Sequence, residues 1–320
     1  MRAGSLSVFV ASHFIEAVQA ELRDAFDVTF AQSADPIEEL RGAERAYDAL
    51  IFSLDLPMQA AAIAALPTSL RALATYSVGT DHIDFAAAKA RDLAVFHTPG
   101  VLADSVAENA IFLMLATARR ATESIHLIRS REWPGWNPTQ LVGAQLSGRT
   151  LGIFGMGDIG ERIASRAQAL GMSILYCNRS RRSGAEAQGA SYRETIDALI
   201  AESDVLMLAC PSTEETRGIL DATRLDSARP GLIVVNIARG DIVQDDALIS
   251  ALRTGKVWGA GLDVFDGEPN LHADYYDLPN VFMVPHIGSS TIEARLGMGR
   301  SLISGLSAWA RGEKPENQCG

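Results

Sequence analysis

The sequence predicts an α/β chain folded as two doubly wound parallel sheets with a cleft between them. Three observations carry that prediction. Short apolar runs alternate with helix-period segments along most of the 320 residues. The alternation breaks once, over residues 104–138, and restarts at Arg149. A chain of this length also holds about two domains of roughly 100–200 residues each.

The elements follow in order. Leu6–Val10, Ala49–Leu54, Leu70–Tyr76 and Ala94–His97 are continuous apolar runs of strand length. Phe14–Phe26, Pro57–Ala65 and Asp84–Arg91 carry the helical period between them. A long helix is expected from Asp104 to Arg120, with Asp104 and Ser105 as candidate caps. The tract Trp133-Pro134-Gly135-Trp136-Asn137-Pro138 cannot be a regular helix or a central strand. In the second block, strands are expected at Thr150–Phe154, Ser173–Cys177, Val205–Ala209, Leu232–Ile237, Trp258–Asp263 and Val281–Val284. Helices are expected at Gly157–Leu170, Tyr192–Glu202, Asp221–Ser227 and Asp245–Gly255, with Thr291–Arg311 as the last.

Composition narrows the function classes. Apolar residues make up 48% and charged residues 21%, as in ordinary globular proteins. Lys plus Arg is 28 against 39 for Asp plus Glu, a formal charge of −11, so general attraction to nucleic acid or an anionic membrane is not expected. The apolar runs, such as Ala110–Ala118, are too short to span a bilayer. Three scattered cysteines, Cys177, Cys210 and Cys319, form no disulfide framework and no Cys-x-x-Cys pair. Met1–Ser5 leads straight into an apolar run without a leader-like region, and the expected location is the cytoplasm.

The sharpest motif is Gly155-Met156-Gly157-Asp158-Ile159-Gly160, placed directly after an apolar strand and at the start of a helix. Gly155 suits the tight turn, Gly157 lets backbone approach a pyrophosphate, and Gly160 lets helix pack on strand. The helix N-terminus then offers free N–H groups to the phosphates. A glycine-rich turn with no ligand is the bland alternative, but here strand and helix both stand where a dinucleotide site needs them. In a NAD site an acid ends the second strand and binds the ribose hydroxyls. Here Asn178 takes that place, followed by Arg179-Ser180-Arg181-Arg182. A 2′-phosphate is a dianion that arginine can bind in two hydrogen bonds, so NADP(H) is expected in preference to NAD(H).

Three polar residues follow later strands. Arg239 lies in Asn236-Ile237-Ala238-Arg239-Gly240, Glu268 in Asp266-Gly267-Glu268-Pro269, and His286 in Pro285-His286-Ile287-Gly288. Singly, each fits a solvated loop or a turn. Together they suit ketoacid chemistry: a guanidinium to clamp a carboxylate, and an imidazole beside a carboxylate to exchange a proton with a carbonyl oxygen. His13, His97, His126 and His272 lack a partner motif and read as surface or structural residues, and His82 reads as structural. No Cys/His spacing suggests zinc.

These residues carry a family resemblance. Tyr76–Asp84, Thr98–Leu102, Ser105–Glu108, the glycine loop, Asn236–Gly240, Gly261–Phe265 and Pro285–Gly288, in this order, make the chain similar to the D-isomer-specific 2-hydroxyacid dehydrogenases over nearly its whole length. Arg179–Arg182 and Trp133–Trp136 resemble the NADPH-preferring glyoxylate/hydroxypyruvate reductases. The resemblance implies two Rossmann- or flavodoxin-like domains. Residues 1–100 with 287–320 would bind substrate, and 101–286 the dinucleotide. It implies that Arg239 holds the substrate carboxylate, that His286 is the general acid and that Glu268 pairs with it. It implies that the Val78 and Gly79 N–H groups cradle the carboxylate and that Leu54 and Ser289 lie on the substrate side. It brings Ser105 and Asp263 toward the nicotinamide, lines the adenosine side with Cys210 and Pro211, and adds Thr216, Ile237, Ala238 and Gly288 to the cofactor contacts. It implies a homodimer joined through Ser105–Arg120 and the following arm, where Trp136 either reaches the neighbour's active site or simply packs in the interface. The activity expected is NADPH-dependent reduction of a small 2-ketoacid, glyoxylate or hydroxypyruvate, to the D-2-hydroxyacid. A dehydrogenase of larger 2-ketoacids and a non-catalytic dinucleotide-sensing protein remain as rivals.

Overall fold

Parallel strands buried on both faces need apolar residues at nearly every position, and this chain supplies them. The structure, a computed structural model, describes residues 6–319. The chain divides into two compact units: one runs up to Leu102 and resumes at Ser290, and the other is Ala103–Ser289.

The first unit begins β1 (Ser7–Val10), α1 (Glu16–Ala25), β2 (Asp27–Phe30), α2 (Pro36–Gly42), β3 (Ala49–Phe52), α3 (Ala60–Ala65), β4 (Ala72–Thr75), α4 (Phe85–Ala90), β5 (Ala94–Phe96). Every residue of β3 and β4 is buried. The second unit holds α5 (Ala103–Ala118), α6 (Ala121–Arg129), β6 (Thr150–Phe154), α7 (Asp158–Ala169), β7 (Ser173–Cys177), α8 (Ser183–Ala187), β8 (Ser191–Tyr192), α9 (Ile196–Glu202), β9 (Val205–Leu208), α10 (Ala222–Ser227), β10 (Leu232–Asn236), α11 (Asp245–Arg253), β11 (Val257–Leu262) and β12 (Val281–Met283). The first unit is then completed by α12 (Ile292–Ala310) and β13 (Gln318–Cys319).

Both sheets are doubly wound. The strand order is β13-β5-β4-β3-β1-β2 in the first and β12-β11-β10-β9-β6-β7-β8 in the second. In the second sheet the winding reverses at β6, which pairs with β7 on one side and β9 on the other. Ligands of open parallel sheets collect at such a reversal, outside the carboxyl ends of the strands. The glycine loop leaves β6 at that point.

Several expectations need correction. The long helix stops at Ala118, because Arg120 takes a left-handed conformation with φ 55°, and α6 starts anew at Ala121. Asp104 lies inside the first turn of α5 and does not cap it; its carboxylate instead pairs with Arg162 (2.6 Å) and Arg166 (2.8 Å) on α7. Tyr192 belongs to a strand, and the helix after it starts at Ile196, capped by the Thr195 hydroxyl. The first sheet is not wholly parallel, since β13 runs antiparallel to β5. β2, α2, α6, α8, β8 and β13 were not expected from the sequence pattern.

Candidate active site

The second unit places Arg239, Glu268 and His286 after β10, β11 and β12. Local sequence explains why each stands where it does. Asn236 ends β10 almost fully buried and ties the turn beyond: its side chain donates to the Arg239 carbonyl at 2.8 Å and accepts the Ala238 N–H at 3.0 Å. Gly240 then crosses directly over the Phe265–Asp266 peptide, where any Cβ would run into backbone. That close crossing brings the Arg239 turn against the loop carrying Glu268.

Glu268 is bound at both oxygens. Oε1 accepts the Phe265 N–H at 2.8 Å, and Oε2 lies 2.9 Å from Nδ1 of His286. Burial alone would push its pKa up. The His286 hydrogen bond, the Phe265 N–H and the charges of His286 and Arg239 outweigh burial and hold the carboxyl below the usual range. The carboxylate only accepts, so Nδ1 carries the hydrogen and Nε2 is the ring nitrogen left for chemistry.

His286 has φ 51°, a left-handed conformation that non-glycine residues adopt only when their surroundings impose it. Asp263 supplies much of that constraint. Its carbonyl accepts the His286 N–H at 2.8 Å, while its carboxylate accepts the Ile287 N–H at 2.7 Å and the Gly288 N–H at 2.9 Å. Burial pushes the Asp263 carboxyl above its usual range, against the pull of these N–H groups, the His286 charge and Asn109. Ser105, on α5, donates its hydroxyl to the Gly288 carbonyl at 2.7 Å. Ser105 and Asp263, expected near a nicotinamide, thus also build the His286 loop. Ser289 follows it, half-buried.

The glycine loop meets the requirements of a dinucleotide. Gly155 has φ 106°, and a Cβ there would lie 2.6 Å from the backbone of Ala209 and Cys210. At Gly160 a Cβ would strike the Gly155 carbonyl. Gly157 is different: a Cβ there would meet nothing within 4 Å, so the bare backbone faces open space at the start of α7, as a phosphate cradle must. Asp158 and Ile159 form the first turn, and Met156 is buried beneath it. Burial pushes the Cys210 thiol up to about 12, so it stays protonated beside Pro211. The Thr216 hydroxyl is spent on its own turn, accepting the Thr213 N–H at 2.8 Å and donating to the Pro211 carbonyl at 2.8 Å. Ile237 and Ala238 lie buried in the turn before Arg239.

The basic loop separates into two kinds of arginine. Arg181 is gripped by Glu186 through two bonds of 2.9 and 3.0 Å, and Arg182 pairs with Glu161 at 3.0 Å. Exposed Arg179 makes no hydrogen bond within the protein among the described residues, and Asn178 spends its amide on the Ser180 carbonyl at 3.1 Å.

The other expected substrate residues lie in the first unit or the arm. Leu54 follows β3 and is exposed. Val78 and Gly79 follow β4, and among the described residues neither N–H donates to a protein group. Trp136 is 81% exposed in an irregular segment. Among the described residues, no three His, Cys, Asp or Glu side chains are grouped to hold a metal ion. The same residues include no helix long and apolar enough to cross a membrane.

Two contacts at these loops depend on the fold and have no signature in the sequence. Asp263 sets the His286 loop, a role that only the fold reveals. His97, which reads as surface or structural from the sequence, holds the Val78 carbonyl through its ring at 3.0 Å.

Comparison with known proteins finds relatives over most of the chain. A family profile described as "D-isomer specific 2-hydroxyacid dehydrogenase, NAD binding domain" matches residues 111–288. A glycerate dehydrogenase of Hyphomicrobium methylovorum is 41% identical over 88% of this chain and 89% of its own. A glyoxylate reductase of Thermococcus litoralis is 44% identical over 78% of this chain and 76% of its own. The crystal structure of an NADPH-dependent glyoxylate/hydroxypyruvate reductase from Sinorhizobium meliloti, in complex with NADP and malonate, superposes with a TM-score of 0.88 at 30% identity, covering 99% of this chain and 97% of that one.

Proposed function

This chain belongs to the D-isomer-specific 2-hydroxyacid dehydrogenases, and on that footing we propose that it is an NADPH-preferring reductase of small 2-ketoacids, glyoxylate or hydroxypyruvate. The coarser activity, oxidoreduction between a 2-ketoacid and a 2-hydroxyacid with a nicotinamide cofactor, follows from the family. The observation that carries the catalytic reading is the 2.9 Å contact between His286 and Glu268, with the Arg239 charge acting on the same carboxylate.

The residues present fit the cofactor. Gly155–Gly160 would hold the pyrophosphate and Arg179 the 2′-phosphate; when bound, the nicotinamide supplies the hydride. Arg239 would pair with the ketoacid carboxylate; in the first unit, the Val78 and Gly79 N–H groups, which donate to no protein group among the described residues, are the expected carboxylate donors. Nε2 of His286 would give its proton to the carbonyl oxygen as negative charge develops there, and take it back in the reverse direction. Glu268 fixes the ring's orientation and tautomer by accepting from Nδ1. The product would be the D-2-hydroxyacid.

Preference for NADPH rests on Arg179. With no acid at Asn178 to bind ribose hydroxyls, and beside it a guanidinium that makes no hydrogen bond among the described residues and feels only the charge of Glu215, the loop favours an added dianion. The S. meliloti relative is NADPH-dependent, which agrees. We also propose a homodimer through α5, α6 and the arm, where Phe112, Ile125, Ile128, Trp133 and Trp136 are exposed apolar residues. The three free thiols suit the reducing cytoplasm.

Steady-state NADPH and NADH oxidation with glyoxylate, hydroxypyruvate and phenylpyruvate tests the proposal. The expected result is kcat/KM highest with NADPH and one of the two small ketoacids. Preference for phenylpyruvate, or for NADH, would overturn the finer reading.

A further inference from the structure

We infer that His97 is a positioning residue for substrate binding, aiming the Gly79 N–H through the Val78 carbonyl. The inference rests on the reading that the Val78 and Gly79 amides receive the ketoacid carboxylate.

After β4, three successive carbonyls are each held. The Ser77 carbonyl accepts the Thr98 N–H at 2.9 Å. The Val78 carbonyl lies 3.0 Å from Nδ1 of His97. The Gly79 carbonyl accepts the Ser77 hydroxyl at 2.7 Å. In a trans peptide the C=O and the following N–H point opposite ways. Holding the Ser77 carbonyl therefore aims the Val78 N–H, and holding the Val78 carbonyl aims the Gly79 N–H. Neither N–H donates to a protein group among the described residues, so both are left for an outside acceptor.

Proton counting fixes the donors. The Ser77 hydroxyl has one proton and gives it to Gly79. Its 2.7 Å contact with Thr75 Oγ1 is therefore a bond donated by Thr75, and the 2.9 Å contact between Thr75 and Nε2 of His82 is donated by His82. Thr75, Ser77 and His82 are all buried, which makes this relay a rigid floor for the loop. A carbonyl only accepts, so His97 must carry hydrogen on Nδ1. His97 is itself set from the far side: its N–H donates to the Asn317 carbonyl at 3.1 Å, and the Asn317 amide reaches the His97 carbonyl at 3.4 Å.

His97→Leu removes the donor, and His97→Asn replaces it, because Asn Nδ2 stands where His Nδ1 stands. The expected result for His97→Leu is a ketoacid KM raised about three- to tenfold, the worth of one hydrogen bond, with kcat and the NADPH KM within about twofold; His97→Asn restores most of the loss. His97→Ala carries the same expectation if the leucine variant does not fold. A second readout follows the amide itself. The chain has two Val-Gly pairs, Val78–Gly79 and Val142–Gly143, so labelling valine carbonyls with 13C and glycine nitrogens with 15N isolates two NMR signals. Oxalate, a flat dicarboxylate, is expected to shift the Gly79 signal and leave Gly143 in place, and His97→Leu to weaken that response. A Gly79 signal indifferent to inhibitory oxalate would sink the carboxylate reading on which the inference rests. A responsive Gly79 with ketoacid KM unchanged in His97→Leu would overturn the role of His97, as would a loss confined to kcat or shared equally by the cofactor KM.

Discussion

Asp263 and His286 are joined through backbone and side chain together: the His286 N–H binds the Asp263 carbonyl at 2.8 Å, and the Asp263 carboxylate takes the next two N–H groups at 2.7 and 2.9 Å. This clamp sustains the left-handed backbone at His286 and so determines where the imidazole stands.

Asp263→Asn should break half of the clamp. An amide offers one acceptor oxygen and turns its NH2 toward the second N–H, leaving one buried donor unmet at a cost of about 1–3 kcal/mol. We expect a lower melting temperature and kcat/KM reduced about 10- to 100-fold, the price of a misplaced catalytic group. Calorimetry and initial rates check both; an unchanged rate would mean that the loop keeps its shape without the carboxylate.

Glu268→Gln removes the ion beside His286. The ring then loses the acceptor that holds Nδ1 in place, and kcat/KM should fall about 10²-fold or more. Stability has its own sign. The Glu268 carboxyl is held below its ordinary 4.5, so its contribution is complete above that value and is lost as the pH falls through the lowered one. Melting curves of wild type and variant should therefore draw together below pH 4.5; a gap that stays constant or widens there contradicts the assignment.

Gly240→Ala tests the crossing of the Arg239 turn over the Phe265–Asp266 peptide. The added Cβ meets backbone with no flexible end to yield. Destabilisation of roughly 1–3 kcal/mol is expected, with activity lost faster than cofactor binding because Arg239 and Glu268 are pushed apart. Denaturant unfolding and NADPH fluorescence titration separate the two effects.

Arg179→Ala and Arg181→Ala should differ. Arg181 is held by Glu186 in two hydrogen bonds, whereas Arg179 makes none among the described residues and acts only as a charge near Glu215. Arg179→Ala should raise the NADPH KM about tenfold or more, the loss of one charge-assisted contact, with the NADH KM little changed; Arg181→Ala should do less. Equal effects from both would show that the Glu186 pair opens to admit the phosphate.

The two sheets were legible because buried parallel strands write themselves as apolar runs, as in Thr150–Phe154 and Ser173–Cys177, where the expected and observed limits coincide. β2 was not, since Asp27–Phe30 is only partly covered and lacks such a run. β13 is two residues long and is a strand only because β5 lies beside it. The break at Arg120 had no glycine or proline to announce it. At the site, the glycine loop and the Arg239, Glu268 and His286 positions could be read from residue type and strand ends. The division of labour among Arg179, Arg181 and Arg182 could not, because it depends on Glu161 and Glu186 from separate helices. Asp263 and His97 work through backbone carbonyls and amides, which leave no signature in residue identity.

The first unit draws its sheet from both sides of an insertion, β1–β5 before it and β13 after it. On the ribosome, the edge of β5 must wait while residues 103–289 are made, an interval of roughly 10–40 s at ordinary rates of synthesis. Throughout it the nascent strand offers unpaired amides and carbonyls to any neighbouring chain, so chaperone demand in this protein should concentrate on its first hundred residues.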